Sequence, residues 1–194
     1  MVEEMTLRIG IDFDNTIVDY RPVFLSAARA LGLVEASFAA RDKTEIRDHL
    51  RALPGGESRW QELQAHVYGV AIDAAPAYAG FERFIGEARR RGAPLAIVSH
   101  KSRFAAAAPG GADMRVAAGR WLAAQGFVGV DGIAQRDVFF ETTRSEKLER
   151  VRELKLTHFI DDLADVLADP GFPAETEPIH FRESWEAVFD VVFG

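Results

Sequence analysis

The chain has 194 residues, 48% of them hydrophobic, enough for one domain with a real core, or one domain carrying a modest insertion. Lys and Arg number 23 against 30 Asp and Glu, and the resulting charge of −7 argues against general nucleic-acid binding, which needs a basic face. The absence of Cys removes disulfides, thiol catalysis and zinc–cysteine sites, and no apolar run reaches the ~18 residues that would span a membrane. The start, M-V-E-E-M-T, is acidic and carries no apolar secretory region, so the cytoplasm is the expected compartment.

Residues 7–20 read L-R-I-G-I-D-F-D-N-T-I-V-D-Y. Leu7, Ile9, Ile11 and Phe13 form a short apolar run bounded by the turn-prone pair Asp14-Asn15, the pattern of a buried strand. Asp12 and Asp14 at its carboxyl end sit where open α/β sheets bind ligands, and Thr16 follows two residues later. One reading is a strand followed by an Asx-type turn in which Asp14, Asn15 and Thr16 cap a helix. The other is a hard-cation site with Asp12 as nucleophile and Asp14 as acid/base, because two close carboxylates repel unless a cation offsets them.

A helix is predicted over 22–33, with Val23, Phe24, Ala27, Ala30 and Leu31 at helical spacing and Gly32 as its stop. Residues 35–75 are more polar, with a turn at L-P-G-G-E-S and a helix from Ser58 to about Ile72 carrying Trp60, Leu63, Val67 and Ala71 on one stripe. The stretch 19–77 therefore reads as a small, mainly helical insertion, the alternative being extra core helices of a single layer. Phe81, Phe84, Ile85 and Ala88 mark the next helix, closed by Arg89 to Arg91 and Gly92, where the arginines complement the helix dipole.

P-L-A-I-V-S at 94–99 is a second strand, ending at Ser99 and followed by His100, Lys101, Ser102 and Arg103. The Ala-, Pro- and Gly-rich segment 104–112 is a loop without the Gly spacing of a phosphate cradle. A helix over 113–125 follows, then a third strand at 138–140 and a helix from Ser145, its expected N-cap. That places Lys147 in a first turn, where a cation opposes the macrodipole; it is either solvated surface or points into a cleft for a ligand. A fourth strand over 157–160 ends in Asp161-Asp162, with Asp165 four residues past Asp161. A fifth strand at 178–181 and a helix over 184–193 complete an α/β chain whose sheet is doubly wound and mostly parallel.

In a parallel sheet all strand carboxyl ends share one edge, so Asp12, Asp14, Ser99, Asp161 and Asp162 can converge with Lys147 although they are far apart in sequence. A carboxylate cage, a carboxylate nucleophile, a hydroxyl and a lysine form the inventory of phosphoryl transfer.

This set and order resemble the haloacid dehalogenase-like (HAD) hydrolase superfamily. Asp12-Phe13-Asp14-Asn15-Thr16 looks like its first motif, Ser99 its second, Lys147 its third, and Asp161-Asp162 with Asp165 its fourth, covering residues 7–166. The resemblance implies a Rossmann-like core over 1–18 and 78–194 and a helical cap over 19–77 that covers the active site and chooses the substrate. It implies that Asp12 attacks phosphorus to form an aspartyl-phosphate, that Asp14 protonates the leaving oxygen and then activates water, and that Ser99 and Lys147 hold the phosphoryl group. It implies Mg²⁺ held by Asp12, the main-chain carbonyl of Asp14 and a fourth-motif acid. Analogy with paired-acid members selects Asp162 as that ligand, and the spacing to Asp165 selects Asp161. Thr16, Ser99, His100 and Lys101 are the candidate substrate contacts, with Tyr20, Arg21, Arg47 and Arg103 further out. The second acid, Asp14, favours a phosphatase over a dehalogenase, because halide leaves without a proton. The expected activity is hydrolysis of a small phosphorylated metabolite, with no nucleic-acid or membrane partner. Its rivals are a phosphotransferase with another acceptor and a non-catalytic binding module.

Overall fold

A computed structural model describes residues 6–106 and 110–194. The acidic start at 1–5 and the centre of the expected 104–112 loop, residues 107–109, lie outside the described residues. Five strands form one sheet: β1 (Ile9–Ile11), β2 (Leu95–His100), β3 (Val138–Glu141), β4 (His158–Asp161) and β5 (Glu177–His180). Among the described residues eight α-helices accompany them: α1 (Arg21–Ala30), α2 (Lys43–Arg51), α3 (Gly56–Gly69), α4 (Phe81–Arg90), α5 (Met114–Ala124), α6 (Arg144–Glu153), α7 (Ala164–Leu167) and α8 (Trp185–Phe193).

The spatial order is β3-β2-β1-β4-β5 and every pairing is parallel. The chain runs outward from β1 through β2 to β3, then crosses back to lay β4 on the other side of β1. The strand order thus reverses between β1 and β4, and at such a point the carboxyl ends of adjacent strands diverge and leave a crevice. β1 is buried on both faces, which is why it reads as an unbroken apolar run rather than an alternation. Gly10 has a steric reason within it: a Cβ there would lie 2.3 Å from Leu156 Cδ1 and 2.7 Å from Phe159 Cδ2. Phe159 and Leu156 join Ala96, Val98, Leu148, Val151 and Val166 in one hydrophobic cluster, which seats α6 and α7. A second, aromatic cluster joins α4 to α8, with the Trp185 ring 4.7 Å from that of Phe81 and 4.8 Å from that of Phe84.

By internal contacts the chain divides into two compact units. One is helical and comprises Asp19–Pro76 and Ser102–Leu122; the other holds the sheet. The helical unit has its own aromatic core, in which Phe24 stacks on Trp60 at 5.6 Å and Tyr20 meets Tyr68 edge-on at 4.9 Å. Residues 102–122 thus group with the helical unit, whereas the expected core of 1–18 and 78–194 places them with the sheet. The cause is specific: Trp121 Nε1 donates to the Ala75 carbonyl at 2.9 Å and Arg120 pairs with Asp73. The helical unit also contains a helix that the sequence reading missed, α2, capped by Asp42, whose side chain accepts from Glu45 N. No helix among the described residues is long and apolar enough to cross a membrane.

Candidate active site

The main chain positions the first acid. Asp12 N donates to the Ile160 carbonyl at 2.8 Å, extending the β1–β4 ladder one residue beyond β1 and fixing Asp12 against the end of β4. The chain then turns sharply: Ile17 N and Val18 N both donate to the Phe13 carbonyl, and Asn15 takes a φ of 58°. Asn tolerates that left-handed conformation, and the turn aims Asp14 back toward the strand ends.

The carboxylates of Asp12, Asp161 and Asp162 converge, with one oxygen of each within 4.8 Å of the others. Lys147 closes the group from α6, its Nζ donating to Asp12 Oδ1 and Asp161 Oδ2 at 2.6 Å each. Only 2% of the Lys147 side chain is exposed, which decides between the two readings of that residue. Burial disfavours its charge, but Asp12 and Asp161 outweigh this and hold the ammonium above its ordinary pKa. The N-cap of α6 is Thr143, not Ser145: the Thr143 side chain accepts from Glu146 N and Glu146 reciprocates to Thr143 N. Lys147 remains in the first turn, where a cation costs about 0.3–1 kcal/mol against the dipole. Its two carboxylate partners offset that cost.

Asp161 is fully buried with both oxygens engaged, one by Lys147 and one by Leu163 N. Asp162 lines the cavity instead, whereas Asp165 is exposed and outside the carboxylate group. Burial, reinforced by the neighbouring acids, pushes Asp12 up to about 7 even though Lys147 opposes the shift. Burial and the charge of Asp161 likewise raise Asp162 to about 6. Beside these three carboxylates Lys147 supplies a single ammonium, which leaves a surplus of negative charge. Three oxygen donors this close, with that surplus, fit a hard divalent cation.

A cavity of about 170 Å³ opens over the group, lined by Asp12, Asp14, Asn15, Ser99, His100, Arg144, Lys147, Asp162, Leu163 and Val166. Ser99 and His100 reach it from the end of β2. Lys101 does not line it. Its buried Nζ holds both oxygens of Asp14 at 2.8 Å, so it meets the candidate acid/base rather than the cavity. Thr16 is also away from the lining: it is fully buried, its carbonyl accepts from Trp185 Nε1, and its hydroxyl has no hydrogen-bond partner among the described residues. In the helical unit Tyr20 is a core residue, and Arg21, Arg47 and Arg103 pair with Asp19, Asp48 and Asp113. The sequence reading missed Arg144 at the cavity, although it lies three residues before Lys147 and so on the same side of α6.

No family model and no curated protein matches the sequence. Solved structures do match. A hydrolase from Streptococcus pneumoniae TIGR4 superposes with a TM-score of 0.57 at 13% identity, over 96% of this chain and 98% of that one. A HAD-superfamily hydrolase of subfamily IA, variant 1, from Geobacter sulfurreducens PCA gives 0.52 at 11% identity, over 96% and 97%. The chain has the HAD-like fold. A putative beta-phosphoglucomutase from Thermotoga maritima shares it, with a TM-score of 0.54 at 11% identity over 96% and 91%. At the level of fold, the resemblance read over residues 7–166 holds, and the superpositions extend over 96% of the chain.

Proposed function

We propose that the protein is a Mg²⁺-dependent phosphomonoester hydrolase that acts on a small phosphorylated metabolite through an aspartyl-phosphate on Asp12. The observation that carries this reading is the convergence of the Asp12, Asp161 and Asp162 carboxylates at the strand-order reversal, with Lys147 donating to the first two. Asp12, Asp162 and the main-chain carbonyl of Asp14 would hold the ion; Asp162 is preferred to Asp161 because both oxygens of Asp161 are already engaged. When bound, the ion supplies positive charge against the carboxylates and the phosphoryl oxygens.

An Asp12 oxygen attacks phosphorus, the ester P–O bond breaks, and the leaving oxygen takes a proton from Asp14. Water then attacks phosphorus, gives its proton to Asp14, and the Asp12–phosphorus bond breaks. Lys147 orients the Asp12 carboxylate for attack, and Ser99 contacts the phosphoryl group. Lys101 fixes the Asp14 carboxylate between turnovers through both of its oxygens. The helical unit is assigned the selection of substrate.

Phosphate release from a panel of phosphomonoesters, with and without Mg²⁺, tests the reading. Turnover on at least one ester, lost on chelation and in Asp12→Asn, is expected. Turnover only with an added acceptor would make the protein a phosphotransferase, and none under any condition would leave a binding module.

A further inference from the structure

Of the cations near Asp12, two are already committed. Lys147 bridges Asp12 and Asp161, and Lys101 holds Asp14. Besides the ion, a phosphoryl group entering beside Asp12 therefore finds both of these lysines already engaged by carboxylates. Arg144 is differently placed. It lines the same cavity from the first position of α6, and 47% of its side chain is exposed. Among the described residues its ion pair is with Asp169, at 3.7 Å, beyond hydrogen-bond distance. An exposed pair of that length contributes little to stability. A cation at a helix N-terminus opposes the dipole, and the acid of that first turn, Glu146, is taken by the capping box. Helix stability thus gives no reason for arginine at this position.

Resting on the phosphatase reading above, we propose that Arg144 is a phosphoryl-binding residue, its guanidinium donating to non-bridging oxygens of the substrate. A planar guanidinium matches two phosphate oxygens at once, which an ammonium does not. Arg144 shares the lining of that cavity with Asp12 and Ser99, so a phosphoryl group seated against Asp12 enters the space the guanidinium borders. Swinging toward it requires only that the loose contact with Asp169 be given up.

The test compares Arg144→Gln, Arg144→Lys and Asp169→Asn with the wild type in Mg²⁺. The readouts are inorganic phosphate as a competitive inhibitor and KM for several esters. Arg144→Gln is expected to weaken phosphate inhibition and raise KM for every ester about ten- to hundredfold, with Arg144→Lys restoring part of the loss. Asp169→Asn is expected to bind phosphate as well as the wild type or better. Equal effects of Arg144→Gln and Asp169→Asn would reduce Arg144 to half of an ion pair and overturn the assignment. Wild-type inhibition by phosphate in Arg144→Gln, or a loss confined to esters with a second anionic group, would overturn it too. A wild type that neither binds phosphate nor turns over any ester would overturn the functional reading along with it.

Discussion

Asp12 carries the account at the scale of single residues. Its carboxylate sits between a buried ammonium and two further acids, and burial raises it to about 7. Asp12→Asn is expected to cost at least about a thousandfold in turnover, since the amide cannot attack. Lys147→Met removes the partner of two buried carboxylates and is expected to cost roughly 3–5 kcal/mol in denaturant unfolding, a range set by broken buried pairs. Thr16 makes the opposite case. Its buried hydroxyl has no hydrogen-bond partner among the described residues, so Thr16→Val is expected to gain about 1 kcal/mol and to retain turnover. A loss of turnover with an intact fold would put the hydroxyl back at the substrate. That Asp12, Asp14, Ser99 and Lys147 line one cavity was legible in the sequence, because acids, a hydroxyl and a lysine at strand ends and a helix start can meet on one sheet edge. The pairing of Lys101 with Asp14 was not legible: it depends on how the chain leaves β2, with Lys101 N bonded to the Glu141 carbonyl at 2.9 Å.

Among the elements, α6 matters most to the site, because its first turn delivers both Lys147 and Arg144. Thr143-Arg-Ser-Glu146 is a capping-box sequence and was the available signal for the true start of the helix; the nearer serine drew the reading to Ser145. Thr143→Ala is expected to cost about 1 kcal/mol. For a chain of this size that is a fall of about 2–4 °C in thermal melting. An unchanged melting temperature would show that α6 is held by its packing alone. The strands and α4 were readable because apolar periodicity is strong there. α2 was not, because it buries only Ile46 and Leu50 among nine residues, and its signal lay in the Asp42 cap instead.

For the whole molecule, alternating strands and helices were enough to foresee a parallel sheet, and the strand order then explains why acids distant in sequence meet. The long-range hydrogen bond that draws Trp121 to Ala75, and with it 102–122 into the helical unit, has no local sequence signal. The carboxylate group also sets a pH dependence of stability. Asp12 and Asp162 are raised, to about 7 and about 6, above the ordinary value of 3.8, so the folded protein binds these protons more tightly than the unfolded chain does. Their effect is therefore to lower stability as pH rises from about 4 to about 7. Without a divalent ion, melting is expected to fall by a few degrees between about pH 5 and 8, with Asp12→Asn flattening the profile. Mg²⁺ should restore the loss at the alkaline end and do little at the acid end. A profile insensitive to both would contradict the raised values of Asp12 and Asp162.

The most direct measurement is an acid quench during turnover in Mg²⁺, followed by peptide mass spectrometry. The expected result is one phosphoryl group on the peptide holding Asp12, absent after chelation and absent in Asp12→Asn. A phosphoryl group on another residue, or an Asp12→Asn variant that hydrolyses esters as the wild type does, would contradict the account.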